Sequence, residues 1–378
     1  MKTALALVLA GVLVTGCGDD DHSESTDESQ QEAATAPPGS MPVEPTFGVN
    51  AFAYEGLGVD TLFEDGLSGA GVNVCVIDTG IDPDHPAFAH TFERGAVAWA
   101  DFTTERSPTP IDTNGHGTHV AGIIAMNDEL TGGAPNVDLL IARVFTAEGG
   151  ADFATIARAV DWCSSSAADV ISMSLGGLTL PAIEELLDED PTETEQAVER
   201  ALDAGVYVVA AAGNTELARD VASPSNVSGV VAVAALEPDL ETKAAFSQSG
   251  INEGGALLVP RTDPDKKPEL SAPGVGITSA MVSGSTLAQD VRGCSGVAYC
   301  ALNGTSQATP FVTAVLALAL EARPEFQREN LTGDPRDAVA LVKSALAESA
   351  TALPEQALPH DDGVGYGLVQ GPQLLDAL

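Results

Sequence analysis

Positive charge is scarce in this sequence. Sixteen Lys and Arg stand against 55 Asp and Glu, a formal net of −39 at pH 7. Only Lys2, Lys243, Lys266, Lys267 and Lys343 are lysines. A surface so acidic repels phosphate backbones, which excludes nucleic acid as the expected partner. Long apolar runs are also missing. The one candidate, Ala4–Val14 behind Lys2, is too short to span a bilayer as a mature helix. No segment repeats, and no second domain boundary follows Gly48. What the chain does have is 44% hydrophobic residues and 38 Gly, enough for a sizeable core with many tight turns. At 378 residues that suits an α/β enzyme.

The apolar run ends in Val14-Thr15-Gly16-Cys17, which resembles a bacterial lipoprotein cleavage box. The resemblance implies a signal peptide over 1–16, a lipid on Cys17, and export with anchoring to the cell envelope, on its outer surface or in the periplasm. The alternative is an ordinary secretory signal with a chance cysteine. From Gly18 to about Thr46 the chain is acidic, rich in Ser, Glu and Pro, and nearly without apolar residues. It cannot bury a core, so 17–47 reads as a flexible tether, far too short for a folded inhibitory segment. The catalytic domain is placed at 48–378.

From Gly48 onward strand and helix patterns alternate. Val72, Val74 and Val76 alternate before Ile77, and Asp78-Thr79-Gly80 breaks the strand. Val137–Phe145, Asp169–Leu175, Gly205–Gly213 and Gly229–Leu236 are apolar runs suited to strands covered on both faces. Ala151–Cys163 and Thr192–Ala204 read as helices, the second opened by a Thr192/Glu195 capping box. The expected fold is α/β, three-layered, with a mostly parallel central sheet and helices on both faces. In such sheets the active site lies beyond the carboxyl ends of the strands.

The polar motifs fall there. "VIDTGID" puts Asp78 at a strand end, and "NGHGTHVAG" puts His116 just before an apolar helix. "NGTSQATP" puts Ser306 at the head of another helix, with Pro310 in its first turn. Backbone N–H groups at a helix start can hold an oxyanion. Taken singly, these are a turn former, a structural histidine and an N-cap. His116 and His119 could also share a metal, although Asp82, Asp84 and His85 supply no recognised zinc spacing.

Together, the order Asp, His, Ser, each in a glycine-rich box, resembles the subtilisin-like (subtilase) serine peptidases. "SMSLGG" (Ser172–Gly177), "AAAGN" (Ala210–Asn214) and the terminal "GYGLVQGPQLLDAL" extend the likeness through Gly48–Leu378. The resemblance implies a serine endopeptidase with Asp78, His116 and Ser306 as triad, and with Asn214 and the Ser306 N–H as oxyanion donors. His119 becomes a packed neighbour and no metal takes part. It implies substrate paired as a strand between Ser174-Leu175-Gly176 and Gly149-Gly150. The first pocket is lined by Ala211, Ala212, Gly213 and Ala222, and an upstream apolar pocket by Phe153, Leu175 and Ile156. For Ile156, core packing is the equal alternative. Cleavage after large apolar residues follows. Protein or peptide substrates and a monomer are expected. The alternative is a catalytically silent scaffold lipoprotein of the same fold.

Three features depart from the family. Gln307 stands where many relatives carry Met after the nucleophile. Ala87 follows His85-Pro86, and the loop Ala125–Pro135 is short, so the family's tight calcium site is not expected. No cofactor is required for the chemistry, and weak structural calcium elsewhere stays open. No pro-domain fits, so folding proceeds without one or with help in trans. Of the cysteines, Cys294 and Cys300 are expected to bridge over the site. Cys75 and Cys163 are read by default as buried inert thiols, with a bridge between them as the alternative.

Overall fold

The computed structural model describes residues 45–147, 149–176, 191–215, 220–253 and 260–378. Cys17, most of the tether and Gly177 lie outside the described residues. Seven strands form one parallel sheet in the order β2-β3-β1-β4-β5-β6-β7. They are β1 Asn73–Asp78, β2 Val97–Asp101, β3 Asp138–Arg143, β4 Val170–Met173, β5 Tyr207–Ala211, β6 Val231–Leu236 and β7 Leu270–Pro273. Every residue of β4, β5, β6 and β7 is buried. That is why β4, β5 and β6 read as unbroken apolar runs: both faces are covered.

The side-chain period of two shows the two faces. Cys75 and Ile171 are register partners, as are Val76 and Ser172. Cys75 bonds to Cys163 in the helix Phe153–Ser165. One step along the register and on the other face, Ser172 Oγ accepts from Thr313 Oγ1 in the helix Thr305–Ala322. The helices Phe153–Ser165 and Glu193–Asp203 pack on each other on the first side, and His116–Ala125 and Thr305–Ala322 on the second. The three-layer α/β architecture is therefore the observed one. Capping proceeds as the sequence indicates: both bonds of the Thr192/Glu195 box are formed.

Two expectations change. Cys75 and Cys163 are disulfide-bonded rather than inert thiols, because β1 lays Cys75 directly under the helix that carries Cys163. Cys294 and Cys300 are also joined, beside the antiparallel pair Ile277–Ala280 and Tyr299–Leu302. Pro310 is not in a first turn but inside the helix Thr305–Ala322. A proline there withholds the N–H that would bond the Ser306 carbonyl. Ser174 Oγ donates to that carbonyl instead, at 2.8 Å, so the helix carries proline without an orphaned acceptor.

Candidate active site

The site is assembled from the ends of β1, β4 and β5 and the starts of two helices. Asp78 closes β1, and its main chain is held by Val144 N–H donating to its carbonyl. Thr79 and Gly80 turn the chain back against the helix His116–Ala125. Gly80 sits at φ +121°, and a Cβ there would stand 1.9 Å from the Ile111 carbonyl oxygen. A Cβ on Gly117 would stand 2.4 Å from the Gly80 oxygen. Glycine at 80 lets the turn pass the Ile111 main chain, and glycine at 117 lets the helix meet the Gly80 main chain. Gly117 N–H donates to Thr79 Oγ1 at 2.7 Å.

That approach sets His116 against Asp78. The imidazole Nδ1 lies 2.8 Å from Oδ1 and 3.0 Å from Oδ2, with both side chains buried. With Nδ1–H donated to the carboxylate, Nε2 is the basic nitrogen; it has no hydrogen-bond partner among the described residues. Burial works against the imidazolium, but the charge and hydrogen bond of Asp78, with the field of Asp112, outweigh it and raise the His116 pKa above 6.5. His116 is the first residue of its helix, not a residue before it. His119 points elsewhere: Nε2–H donates to the Cys300 carbonyl at 3.0 Å, and burial pushes its pKa down to about 3, so it stays neutral. His85 spends both ring nitrogens on the Ala298 carbonyl and the Ala87 N–H. Among the described residues no group of three His, Cys, Asp or Glu could hold a metal ion.

Ser306 is the second residue of its helix, where a backbone N–H has no intrahelical acceptor. Its hydroxyl donates to the Ser174 carbonyl at 3.1 Å, and the Ser174 hydroxyl returns a bond to the Ser306 carbonyl. Thr305 N–H and Oγ1 both donate to Asn214 Oδ1 at 2.8 Å, which fixes the amide by its oxygen end. Asp78 with His116, Ser306 with Ser174, and Asn214 beside Thr305 are thus three linked contacts around one end of the sheet.

The expected substrate positions divide. Ala211, Ala212 and Ala222 are buried small walls, and Gly176 meets Ala222 across a gap in which a Cβ would come within 2.7 Å. Gly149 and Gly150 hold left-handed φ of +73° and +81° and stay partly exposed. Leu175 and Ile156 are fully buried in the main core, and only Phe153 keeps partial exposure. Core packing is therefore the better description of Ile156 in this structure.

Four supporting residues escaped the sequence reading. Asp112 accepts from Asn114 and Gly115 N–H through Oδ1 and from Thr118 N–H and Oγ1 through Oδ2, wrapping the start of the His116 helix. Its signal was its place just ahead of the His box. Arg143, fully buried beside Asp78 in the register, pairs with Asp101 and Glu105 and donates to the Thr79 carbonyl. A lone cation at the end of an apolar strand could have flagged it. Thr305 also accepts from Gly213 N–H. Gln248 packs where a Cβ on Gly213 would stand, with its Nε2 on the Asp220 carbonyl; nothing in the sequence marks it.

Comparison with known proteins agrees with this geometry. Residues 69–367 match the family model described as the subtilase family. Serine protease AprX of Bacillus subtilis (strain 168) is 34% identical over 279 residues, covering 68% of this chain and 59% of that protein. Subtilisin DY of Bacillus licheniformis is 34% identical over 271 residues, covering 70% of this chain and 82% of that one. A thermostable alkaline protease of Halalkalibacterium halodurans is 33% identical over 269 residues, covering 70% and 61%. The match thus spans about three fifths of two of these relatives. With a family model over most of its length and relatives identical at a third of the aligned positions, the chain belongs to the subtilase family.

Proposed function

We propose that this chain is a serine endopeptidase in which Ser306 is the nucleophile, His116 the general base and Asp78 its orienting carboxylate. The observation that carries the reading is the buried Asp78–His116 pair, whose Nε2 has no hydrogen-bond partner among the described residues. Ser306 Oγ turns from the Ser174 carbonyl to His116 Nε2, gives up its proton there and attacks the peptide carbonyl. Substrate favours that turn: its extended main chain uses the Ser174 carbonyl as an acceptor and displaces the hydroxyl. The Ser306 N–H and Asn214 Nδ2 receive the oxyanion, and His116 returns the proton to the leaving amine.

The first pocket takes a large apolar side chain. Its walls are Ala211, Ala212, Gly213 and Ala222; the neighbouring carboxylate, Asp220, is matched by Arg261 at 2.7 Å. Cys17 anchors the enzyme to the cell envelope by lipid. Cys17→Ser moving the protein from the detergent to the aqueous phase supports this; unchanged partitioning overturns it. For the chemistry, Ser306→Ala should leave only the residual acceleration of oxyanion hole and binding, ~10³–10⁴ over water. A folded variant keeping more than a few per cent of turnover refutes the triad.

A further inference from the structure

Gln307, directly after the nucleophile, is fully buried, and neither Oε1 nor Nε2 of its carboxamide has a hydrogen-bond partner among the described residues. An apolar side chain would fill the same space without the desolvation cost of two unpaired polar atoms. The amide is not aimed at random. Its Oε1 lies 2.8 Å, and Asn214 Nδ2 lies 3.1 Å, from the one point where a Cβ on Gly304 would stand. The absence of a side chain at Gly304 is what lets the two carboxamides converge. Gln307 is tied there through its main chain, its N–H donating to the Gly304 carbonyl at 3.0 Å. Asn214 is held from the far side, its Oδ1 accepting twice from Thr305.

We infer that Gln307 is a positioning residue for the oxyanion donor, an inference that rests on the catalytic reading above. As negative charge develops on the carbonyl oxygen of the substrate, Asn214 Nδ2 gives one hydrogen to it. Gln307 Oε1, not bonded to Nδ2 in the structure, turns to accept the other. The second bond keeps the amide plane of Asn214 aimed at the oxyanion and is strongest when Nδ2–H is most polarised, in the transition state. Substrate binding makes no use of it.

The test is a double-mutant cycle of wild type, Gln307→Met, Asn214→Ala and the double variant, measured as kcat and KM on one chromogenic peptide. Methionine preserves length and burial and removes the unpaired amide, so the thermal midpoint of Gln307→Met should hold or rise. Its kcat should nevertheless fall roughly tenfold with KM nearly unchanged. In the Asn214→Ala background the same substitution should change kcat less than about twofold. An unchanged kcat in Gln307→Met, or an equal loss in both backgrounds, overturns the inference. A loss of kcat accompanied by a lower thermal midpoint does so too, since that is structural damage. If Asn214→Ala is itself fully active, the oxyanion assignment fails and this inference falls with it. A crippled Asn214→Ala beside a silent Gln307→Met sinks the inference alone.

Discussion

Ser174 and Ser306 bond each other twice. The Ser174 hydroxyl donates to the Ser306 carbonyl at 2.8 Å, and the Ser306 hydroxyl donates to the Ser174 carbonyl at 3.1 Å. The first bond is structural, because Pro310 has no N–H to offer that acceptor. In the proposed mechanism the second is the one substrate breaks, so the proposed substrate strand and nucleophile are coupled before any ligand arrives.

Ser174→Ala separates the two roles. It leaves the buried Ser306 carbonyl without a donor, at a cost of about 1–3 kcal/mol, so the thermal midpoint should drop by several degrees. The turn that presents Ser306 also loosens, and kcat should fall. Equal melting curves for variant and wild type would show that the bond carries no weight.

The pH dependence follows from His116. As the proposed base it acts in its neutral form, and its pKa is raised, against burial, by Asp78 and Asp112. The rising limb of kcat/KM should therefore have its midpoint above 6.5, and Asp78→Asn should bring that midpoint down. His119, held near 3, adds no further limb in the neutral range. Stability carries the same sign. A folded pKa above the unfolded one stabilises fully below about 6.5, and the contribution is lost as pH rises through the folded value. A profile already flat from pH 5 upward contradicts the assignment.

Much of this was legible from the chain. The inner strands were, since burial on both faces leaves an uninterrupted apolar signature. The two outermost strands were not. β2, with Ala98 and Trp99 among its half-exposed or exposed residues, carries no such run, and β7 is four residues ending in proline. In the site, Asp78, His116 and Ser306 announced themselves because glycine-rich turns must surround them. Gln248 did not, and Arg143 showed only as a lone cation at a strand end. Their work is to brace backbone brought close only by folding, and no local spacing encodes that.

The Cys75–Cys163 bridge closes a separation of 88 residues, whereas Cys294–Cys300 closes six. In the chain-entropy account these are worth about 4–5 and about 2 kcal/mol respectively. Replacing Cys75 and Cys163 together by Ala should lower the thermal midpoint clearly more than replacing Cys294 and Cys300. The reverse order, measured by calorimetry, would count against the entropic account.

Selectivity should follow the pocket rather than the net charge. A Leu or Phe side chain before the cut gains burial of ~1.5–3 kcal/mol, while a cation loses hydration and meets no open carboxylate among Ala211, Ala212, Gly213 and Ala222. Fluorogenic tetrapeptides at physiological salt should show Leu and Phe preferred over Arg and Lys. The opposite ranking refutes this account of the pocket.

The main-chain contact between Gly80 and Gly117 has a consequence for how activity is lost. Side-chain packing softens gradually with heat or denaturant, but two backbones in direct contact have no intervening rotamers to yield. The spacing of Asp78 and His116 is thus set across a close main-chain junction, while Asn214 and Ser306 are held through hydroxyls and carboxamides. Under mild stress the proton-handling half of the enzyme should outlast the half that stabilises charge. Inactivation then begins as a loss of transition-state grip, with the histidine still poised.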